Sequence, residues 1–176
     1  LADINFFISA NGLTFKTAQD ATASVTLTVT INDGGFSGSG GEQTNTKTVT
    51  LNVAAVNDAP VNAVPVTQTL GQNGVLAFNS ANGNVISISD VDAGSSLMIV
   101  TLSAVNGTMS LGSSSGVTLI IGNGIDNSIM RMQGTQANIN AVLETLTLHA
   151  SSGFLGNAYL TIQSNDQGNT GSGRQQ

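Results

Sequence analysis

The feature that most constrains this 176-residue chain is an internal repeat, because two copies of one sequence are expected to share one local structure. The sequence Asn-Asp-Gly-Gly at 32–35 recurs as Asn-Asp-Gln-Gly at 165–168, an offset of 133 residues. Closer to the first residue the offset is 135, since Ala-Asp-Ile-Asn at 2–5 recurs as Ala-Asn-Ile-Asn at 137–140. The repeat therefore predicts two related units, the first carrying a short insertion near Asn11-Gly12.

A second feature, the sequence Val-Asn-Asp-Ala-Pro-Val at 56–61, lies between the two copies and predicts a short, extended joint. Pro60 has no N–H and restricts Ala59 to extended backbone. We expect residues 1–58 to be the C-terminal part of one repeat, ending in the joint, and residues 59–176 to be the following repeat. This second repeat lacks its last strand, for which we consider two explanations: truncation of the sequence, or a strand donated by a neighbouring protomer.

The hydrophobic pattern predicts β-strands. Over 25–31, Val and Leu or Ile alternate with Thr, which is typical of a half-buried strand. Gly, Asn and Ser separate the strands, which favours antiparallel β-sandwich units in tandem, and one short helix is expected per unit, at 3–10 and at 138–145 with Thr135 as N-cap. We expect Met98, Met109, Met130 and Met132 to be packing residues. The further predicted strands are 49–53, 66–70, 75–78, 85–89, 97–105, 108–111, 117–121, 128–132, 146–149 and 158–163.

The composition argues against several classes of protein. The absence of Cys excludes a disulfide framework and thiolate metal sites. Four basic against ten acidic residues give a net charge of −6, which argues against nucleic acid or an anionic membrane as a partner. Apolar runs such as 97–100 are far shorter than the ~20 residues of a membrane helix, so no membrane insertion is expected. Because the sequence begins at Leu1, we expect any export signal to lie upstream.

Acidic residues near the joint suggest a metal site. Asp90 and Asp92 are two residues apart, so their side chains point to the same side of extended chain, with Cα atoms within ~7 Å. Asp58 lies in the joint, and Asp166 follows the last predicted strand. Calcium takes six to eight oxygen ligands, several of them carboxylate. An alternative is that these residues only form turns and caps. We predict calcium (Ca²⁺) as the cofactor, with these ligands: Asp58, Asp90, Asp92, Asp166, Asn57 and Ser96.

Three of these segments resemble the motifs of a known family. Asn-Asp-Ala-Pro at 57–60 looks like the linker of cadherin-type repeats. The segment 90–96 resembles the cadherin motif Asp-x-Asp-x-Gly-x-Asn, with Ser96 in place of the usual Asn. The segment 158–168 resembles the strand and loop that supply another cadherin calcium aspartate, here Asp166. The likeness covers essentially the whole chain and is closest to the cadherin-like tandem repeats of giant bacterial surface proteins, including RTX-type adhesins.

The resemblance implies immunoglobulin/cadherin-like β-sandwich modules in tandem, with the three motifs converging on calcium between modules. One departure limits this expectation. We find no counterpart of the cadherin Asp-Arg-Glu motif, which the preceding module would contribute to the cluster. The resemblance therefore implies a smaller site with fewer ions, and it does not imply the adhesion performed by classical cadherins.

We therefore expect a structural repeat of an adhesin stalk or surface filament, secreted to the bacterial cell surface and rigidified by calcium at the joint. Its expected partners are neighbouring repeats of the same protein. No arrangement of residues typical of catalysis is present, so we expect neither an enzyme nor catalytic residues. One alternative is a self-assembling filament subunit, a homopolymer closed by strand exchange between protomers. Another is a carbohydrate-binding module that uses exposed aromatic side chains: Phe36, Phe154 and Tyr159.

Overall fold

In a computed structural model, the protein is described at residues 6, 8–10, 13–35 and 38–168. The chain forms two compact units, Leu1–Ala55 and Val56–Gln176. Both are built from β-strands joined in small antiparallel sheets, so the all-β class is confirmed. Asn57 and Asp58 of the joint belong to the second unit.

The described strands of the first unit form one hairpin. Strand β1 (Val25–Asn32) pairs with β2 (Thr44–Leu51), with Val25 opposite Leu51. Threonine side chains cover one face, where the Thr30 and Thr46 hydroxyl oxygens are 3.0 Å apart. The strand over 25–31 is confirmed, but its predicted half-burial is wrong, since Ile31 is 54% exposed. A two-stranded hairpin has no second layer against which this apolar face can be buried.

One other sequence prediction and one further match of the repeat fall in the first unit. The predicted helix at 3–10 lies largely outside the described residues. Its described part contains one helical turn, in which the Ala10 N–H donates to the Phe6 carbonyl at 2.8 Å. Leu13-Thr14, which corresponds to Leu146-Thr147, is not in a strand. The second copy forms a strand there because strands lie on both of its sides, and the described part of the first unit supplies neither neighbour.

The described residues of the second unit form three antiparallel sheets. Their strand orders are β4-β10-β7, β11-β6-β9-β8 and β3-β5, and one helix, α1, connects β9 to β10. The elements are β3 (Val61–Ala63), β4 (Val75–Ala77), β5 (Ser87–Ser89), β6 (Leu97–Val105), β7 (Gly107–Leu111), β8 (Thr118–Ile121), β9 (Ile129–Thr135), α1 (Gln136–Leu143), β10 (Leu146–Ala150) and β11 (Tyr159–Asn165).

Most predicted strands of the second unit are present with shifted ends, but the one at 66–70 is wrong. That segment is irregular, and Val66 is 83% exposed. Pro65 lacks the N–H that a sheet ladder requires, so the pairing is made earlier, by β3. Val61 of β3 lies opposite Ser89 of β5. The chain therefore enters a sheet directly after the joint.

The core of the second unit is formed by residues from both larger sheets and from α1. Met98, Val100 and Leu102 alternate inward along β6. All four methionines are fully buried, so their predicted packing role is confirmed. Thr135 is the N-cap of α1, as predicted, and accepts a hydrogen bond from the Asn138 N–H. Within the part of the chain that the structure describes, no helix is long and apolar enough to cross a membrane.

Candidate metal site at the joint

Helix α1 fixes the position of the loop that carries Asp90 and Asp92. The Asn140 side chain makes two hydrogen bonds of 2.9 Å to Ile88 of β5, accepting its N–H and donating to its carbonyl. One turn earlier, the Gln136 side-chain oxygen accepts the Asp90 N–H at 2.8 Å. These two polar residues at i and i+4 lie on one face of the helix and therefore attach the loop to the buried core.

The loop itself is held by the side chain of Asp90. Its Oδ1 accepts the N–H groups of Asp92, at 2.9 Å, and Ala93, at 3.0 Å. The turn closes where the Ser96 N–H donates to the Ala93 carbonyl at 2.7 Å. Gly94 has a φ of 50°, a left-handed conformation that glycine adopts without strain. Asp90 therefore acts as a turn residue with one of its two oxygens.

The second oxygen of Asp90 has a different environment. Oδ2 is buried and has no hydrogen-bond partner among the described residues. A buried carboxylate oxygen without a donor is costly, because it has lost its hydration without replacement. A bound cation would supply the missing interaction. This atom is the feature of the loop that turn formation alone does not explain.

Asp166 lies in a turn directly after β11. The Asn165 side-chain oxygen accepts the Gln167 N–H at 2.8 Å, and Asp166 Oδ1 accepts the Gly168 N–H at 3.0 Å. The Gln167 side chain donates to the Leu97 carbonyl at 2.8 Å, which fixes the turn against the start of β6. Asp166 is completely buried, with 0% of its surface exposed.

The joint contacts both acidic loops through two consecutive residues. The Asn57 amide donates to Asp166 Oδ2, and the Asp58 N–H donates to Asp92 Oδ2 at 2.6 Å. Asn57 is 8% exposed, whereas Asp58 is exposed. The structure thus brings together Asn57 with Asp166, and Asp58 with Asp92. Ser96 is placed in the loop of Asp90 and Asp92.

The chemistry of these residues suits a hard cation, whose preferred ligands are carboxylate and amide oxygens. Across residues 6, 8–10, 13–35 and 38–168, however, no three Asp, Glu, His or Cys side chains form a group that could hold a metal ion. The hydrogen bonds made by the joint show a reason. Oxygens of Asp92 and Asp166 accept hydrogen bonds from the joint. The loops converge on the joint, and calcium ligation would require the carboxylates to reorient.

Two residues that position this site, Gln136 and Asn140, were not predicted from the sequence. The available signal was their i, i+4 spacing beside the buried residue Ile139. A polar pair at that spacing, adjacent to a buried position, indicates a helix that binds a loop or strand edge through its side chains.

A cleft of about 530 Å³ opens elsewhere on the second unit. Leu76 and Leu148 line it from one sheet, and Leu160 lines it from β11 of the other. Phe154 and Tyr159, two of the aromatic residues considered for carbohydrate binding, also line this cleft. Phe36, the third, lies outside the described residues.

Comparisons with known proteins add no assignment: no protein family, no curated protein and no solved structure matches this chain.

Proposed function

We propose that this chain is a structural repeat of an extracellular adhesin stalk or surface filament at the bacterial cell surface, and that calcium rigidifies the joint. The observation that carries the proposal is the pair of contacts made by Asn57 and Asp58. These adjacent residues bind two different acidic loops of the second unit. A joint held in this way transmits its orientation to the unit that follows it.

Tandem sandwich architecture is part of the proposal. In the second unit, a three-stranded and a four-stranded sheet contribute side chains to one core, as the two layers of a sandwich do. In the first unit, β1 and the turn after it have the same sequence pattern as β11 and its turn. We interpret the hairpin as the last part of a preceding sandwich.

Calcium is the proposed cofactor because carboxylate and amide oxygens, which it prefers as ligands, are present in the joint and in the two loops that contact it. Asp58, Asp90, Asp92 and Asp166 would supply carboxylate oxygens, with Asn57 and Ser96 as further oxygen donors. Asp90 Oδ2 is buried and has no hydrogen-bond partner among the described residues. When bound, calcium would supply positive charge that offsets the burial of Asp166 and of Asp90 Oδ2.

A bound ion would stiffen the joint through Asn57 and Asp58. These two residues are adjacent in the chain and contact two different acidic loops, so an ion held by both loops would fix the backbone of the joint. Extracellular modules bind calcium at ~10⁻⁴–10⁻³ M. An ion present at ~100-fold above its dissociation constant stabilises the folded unit by ~2.7 kcal/mol. Stiffening and stabilisation are thus two consequences of the same contacts.

The test is calorimetric melting of the chain with EDTA and with millimolar calcium. We expect calcium to raise the melting temperature of the second unit by several degrees, since ~1 kcal/mol corresponds to ~4–8 °C in a small domain. The increase should disappear in the double variant Asp90→Asn, Asp92→Asn and should persist in Asp33→Asn, which changes the equivalent turn of the first unit.

Magnesium at the same concentration is the control for nonspecific charge screening. An equal shift with both ions, or a full calcium shift in the double variant, would reject the assigned ligands. No shift at all in the unaltered chain would leave these acids as turn residues and the chain as a metal-free spacer.

A further inference from the structure

The four-stranded sheet of the second unit contains one charged residue. Strands β6, β8 and β11 have no acidic or basic side chain, and β9 has only Arg131. Arg131 is also the only Lys or Arg between residues 56 and 168, a stretch with six acidic residues. An acidic unit therefore carries a single basic group, and the strands of the sheet that holds this group supply no carboxylate for it.

Arg131 points to the outer face of this sheet. Side chains alternate between the two faces of a strand, and the neighbours of Arg131, Met130 and Met132, are fully buried in the core. Strand β9 lies between β6 and β8, so both of its edges are paired. The position of Arg131 is thus determined by the interior of the sheet and not by an open strand edge.

The guanidinium of Arg131 lacks an acceptor. Its Nε is buried and has no hydrogen-bond partner among the described residues. The residues opposite Arg131, Thr101 of β6 and Ile121 of β8, carry no charge. A buried N–H without an acceptor is costly. A carboxylate from a ligand would remove this cost, because an Arg side chain binds carboxylate oxygens through two parallel N–H groups.

The outer face around Arg131 carries side chains that bind hydroxyl groups. Gln163 of β11, Thr101 of β6 and Arg131 lie in one row across three strands, and residues opposite one another share a face of the sheet. Two residues along, Thr161 and Ser103 form a further pair on the same face. Hydroxyl and side-chain amide groups both donate and accept hydrogen bonds, as the hydroxyls of a sugar do.

Apolar side chains adjoin this polar row. Ile121, opposite Arg131, is 47% exposed, and Ile129, two residues before Arg131 on β9, is 50% exposed. The C–H faces of a sugar ring pack on side chains of this kind. An extended peptide would usually add to a free strand edge, and neither β6 nor β9 has one. The face therefore favours a ligand that is recognised by side chains alone.

We propose that the outer face of the four-stranded sheet, centred on Arg131, binds a polysaccharide in which uronate alternates with neutral sugars. The uronate carboxylate pairs with Arg131, and sugar hydroxyls bind Thr101 and Gln163. Spaced carboxylates suit a single Arg on a chain of net charge −6, because a denser polyanion would be repelled. The site involves neither the joint nor calcium, so it is independent of the proposed function.

An NMR titration of the isotope-labelled chain in EDTA tests this, because the Arg131 Nε–H gives its own signal, identified by its loss in Arg131→Lys. The probe is a hexasaccharide of alternating glucuronate and N-acetylglucosamine. We expect saturable shifts of this signal and of the Thr101 and Gln163 amides, with a Kd on the order of 1 mM. Arg131→Gln should weaken binding at least ~10-fold. Arg131→Lys, which keeps the charge without the fork, should bind with intermediate affinity.

Two matched controls separate carboxylate recognition from charge. The first is the same hexasaccharide with its carboxylates reduced to alcohols, which should bind at least ~10-fold more weakly. The second is Lys47→Gln, which removes the same charge from an exposed position of the first unit and should leave the affinity unchanged. No binding by the unaltered chain, equal binding of the reduced sugar, or equal affinities of Arg131→Gln and Lys47→Gln would overturn the proposal. The amide spectrum of each variant shows whether it is folded.

Two further measurements distinguish the sugar from a protein occupant. A peptide of alternating Glu and Ser is titrated under the same conditions, and the unaltered chain is diluted without any ligand. We expect the Arg131 Nε–H signal to respond to neither. A stronger response to the peptide would assign the face to an acidic protein, and a response to dilution would assign it to a second copy of the chain. Either result would contradict the polysaccharide proposal and leave the proposed function standing, since calcium is absent throughout.

Discussion

The turns at residues 32–35 and 165–168 have the same local structure in different environments. In each, the Asn side chain accepts the N–H two residues ahead, at 2.7 Å in the first and 2.8 Å in the second. In each, the Asp side chain accepts the N–H of the glycine two residues ahead. Yet Asp33 is exposed and Asp166 is completely buried.

The difference shows which properties a short sequence determines by itself. Asn and Asp oxygens bond to nearby backbone, and the last two positions of each turn adopt left-handed backbone, at φ of 65° and 66° in the first copy and 62° and 73° in the second. The turn is therefore a local property. Burial is not, because Asp166 is covered by Asn57, which is distant in sequence.

The largest expected effect comes from removing the buried carboxylate. Asp166→Ala removes one acceptor of the Asn57 amide and the acceptor of the Gly168 N–H, so we expect the second unit to lose about 2–3 kcal/mol of stability. Urea unfolding followed by Tyr159 fluorescence measures this, because the only tyrosine lies in that unit. Asp33→Ala, scored by amide exchange across β1 and β2, should cost about 0.5 kcal/mol. Equal losses would mean that burial of the second turn contributes nothing.

A smaller effect is expected in the strands that lead into the two turns. Leu160 packs against the core, whereas its counterpart Leu27 is 36% exposed in the hairpin. Because Leu160 is only partly buried, we expect Leu160→Ala to cost about 1–2 kcal/mol, less than a fully buried leucine would. Leu27→Ala should cost under about 0.5 kcal/mol.

The same urea and amide-exchange measurements compare these two variants. A large loss from Leu27→Ala would indicate that the apolar face of the hairpin is buried in solution. That result would remove the contrast between the two strands.

The smallest expected effect is a pH dependence of the first turn. The N–H groups of Gln43 and Gly35 donate to Asp33 and hold the pKa of this carboxyl below its ordinary value of 3.8. A lowered folded pKa means that the contribution is fully present above pH 3.8 and is lost as the pH falls through the folded value.

Side-chain carboxyl shifts of Asp33 in an NMR titration measure this pKa. The variant Gln43→Pro, which removes one donor, is the control and should bring the pKa closer to 3.8. A midpoint at or above 3.8 in the unaltered chain would show that the turn does not hold this carboxylate.

The sequence predicted the parts of the fold that depend on local pattern. Alternation over 25–31 gave β1, and Thr135 was correctly identified as the cap of α1. The four methionines were correctly placed in the core. The segment 66–70 was wrong because its pattern suits a strand but Pro65 and the early pairing of β3 leave it irregular.

The contacts of the candidate site were not predictable from the sequence, although its residues were proposed from it. Spacing and resemblance identified the three acidic segments. Neither showed that Gln136 and Asn140 of α1 would hold the Asp90 loop, because those contacts join residues 46 and 52 positions apart. Nor did they show that Asp92 and Asp166 accept hydrogen bonds from the joint itself.

The most direct test of the proposed calcium joint is a calcium titration by isothermal calorimetry on the unaltered chain, Asp33→Asn and Asp166→Asn, with Asp90→Asn as a second variant of the site. We predict binding at ~10⁻⁴–10⁻³ M in the unaltered chain and in Asp33→Asn. Binding should weaken at least ~10-fold in the other two, since each removes a carboxylate ligand. Unaltered affinity in both Asp166→Asn and Asp90→Asn, or no binding by the unaltered chain at millimolar calcium, would contradict the account.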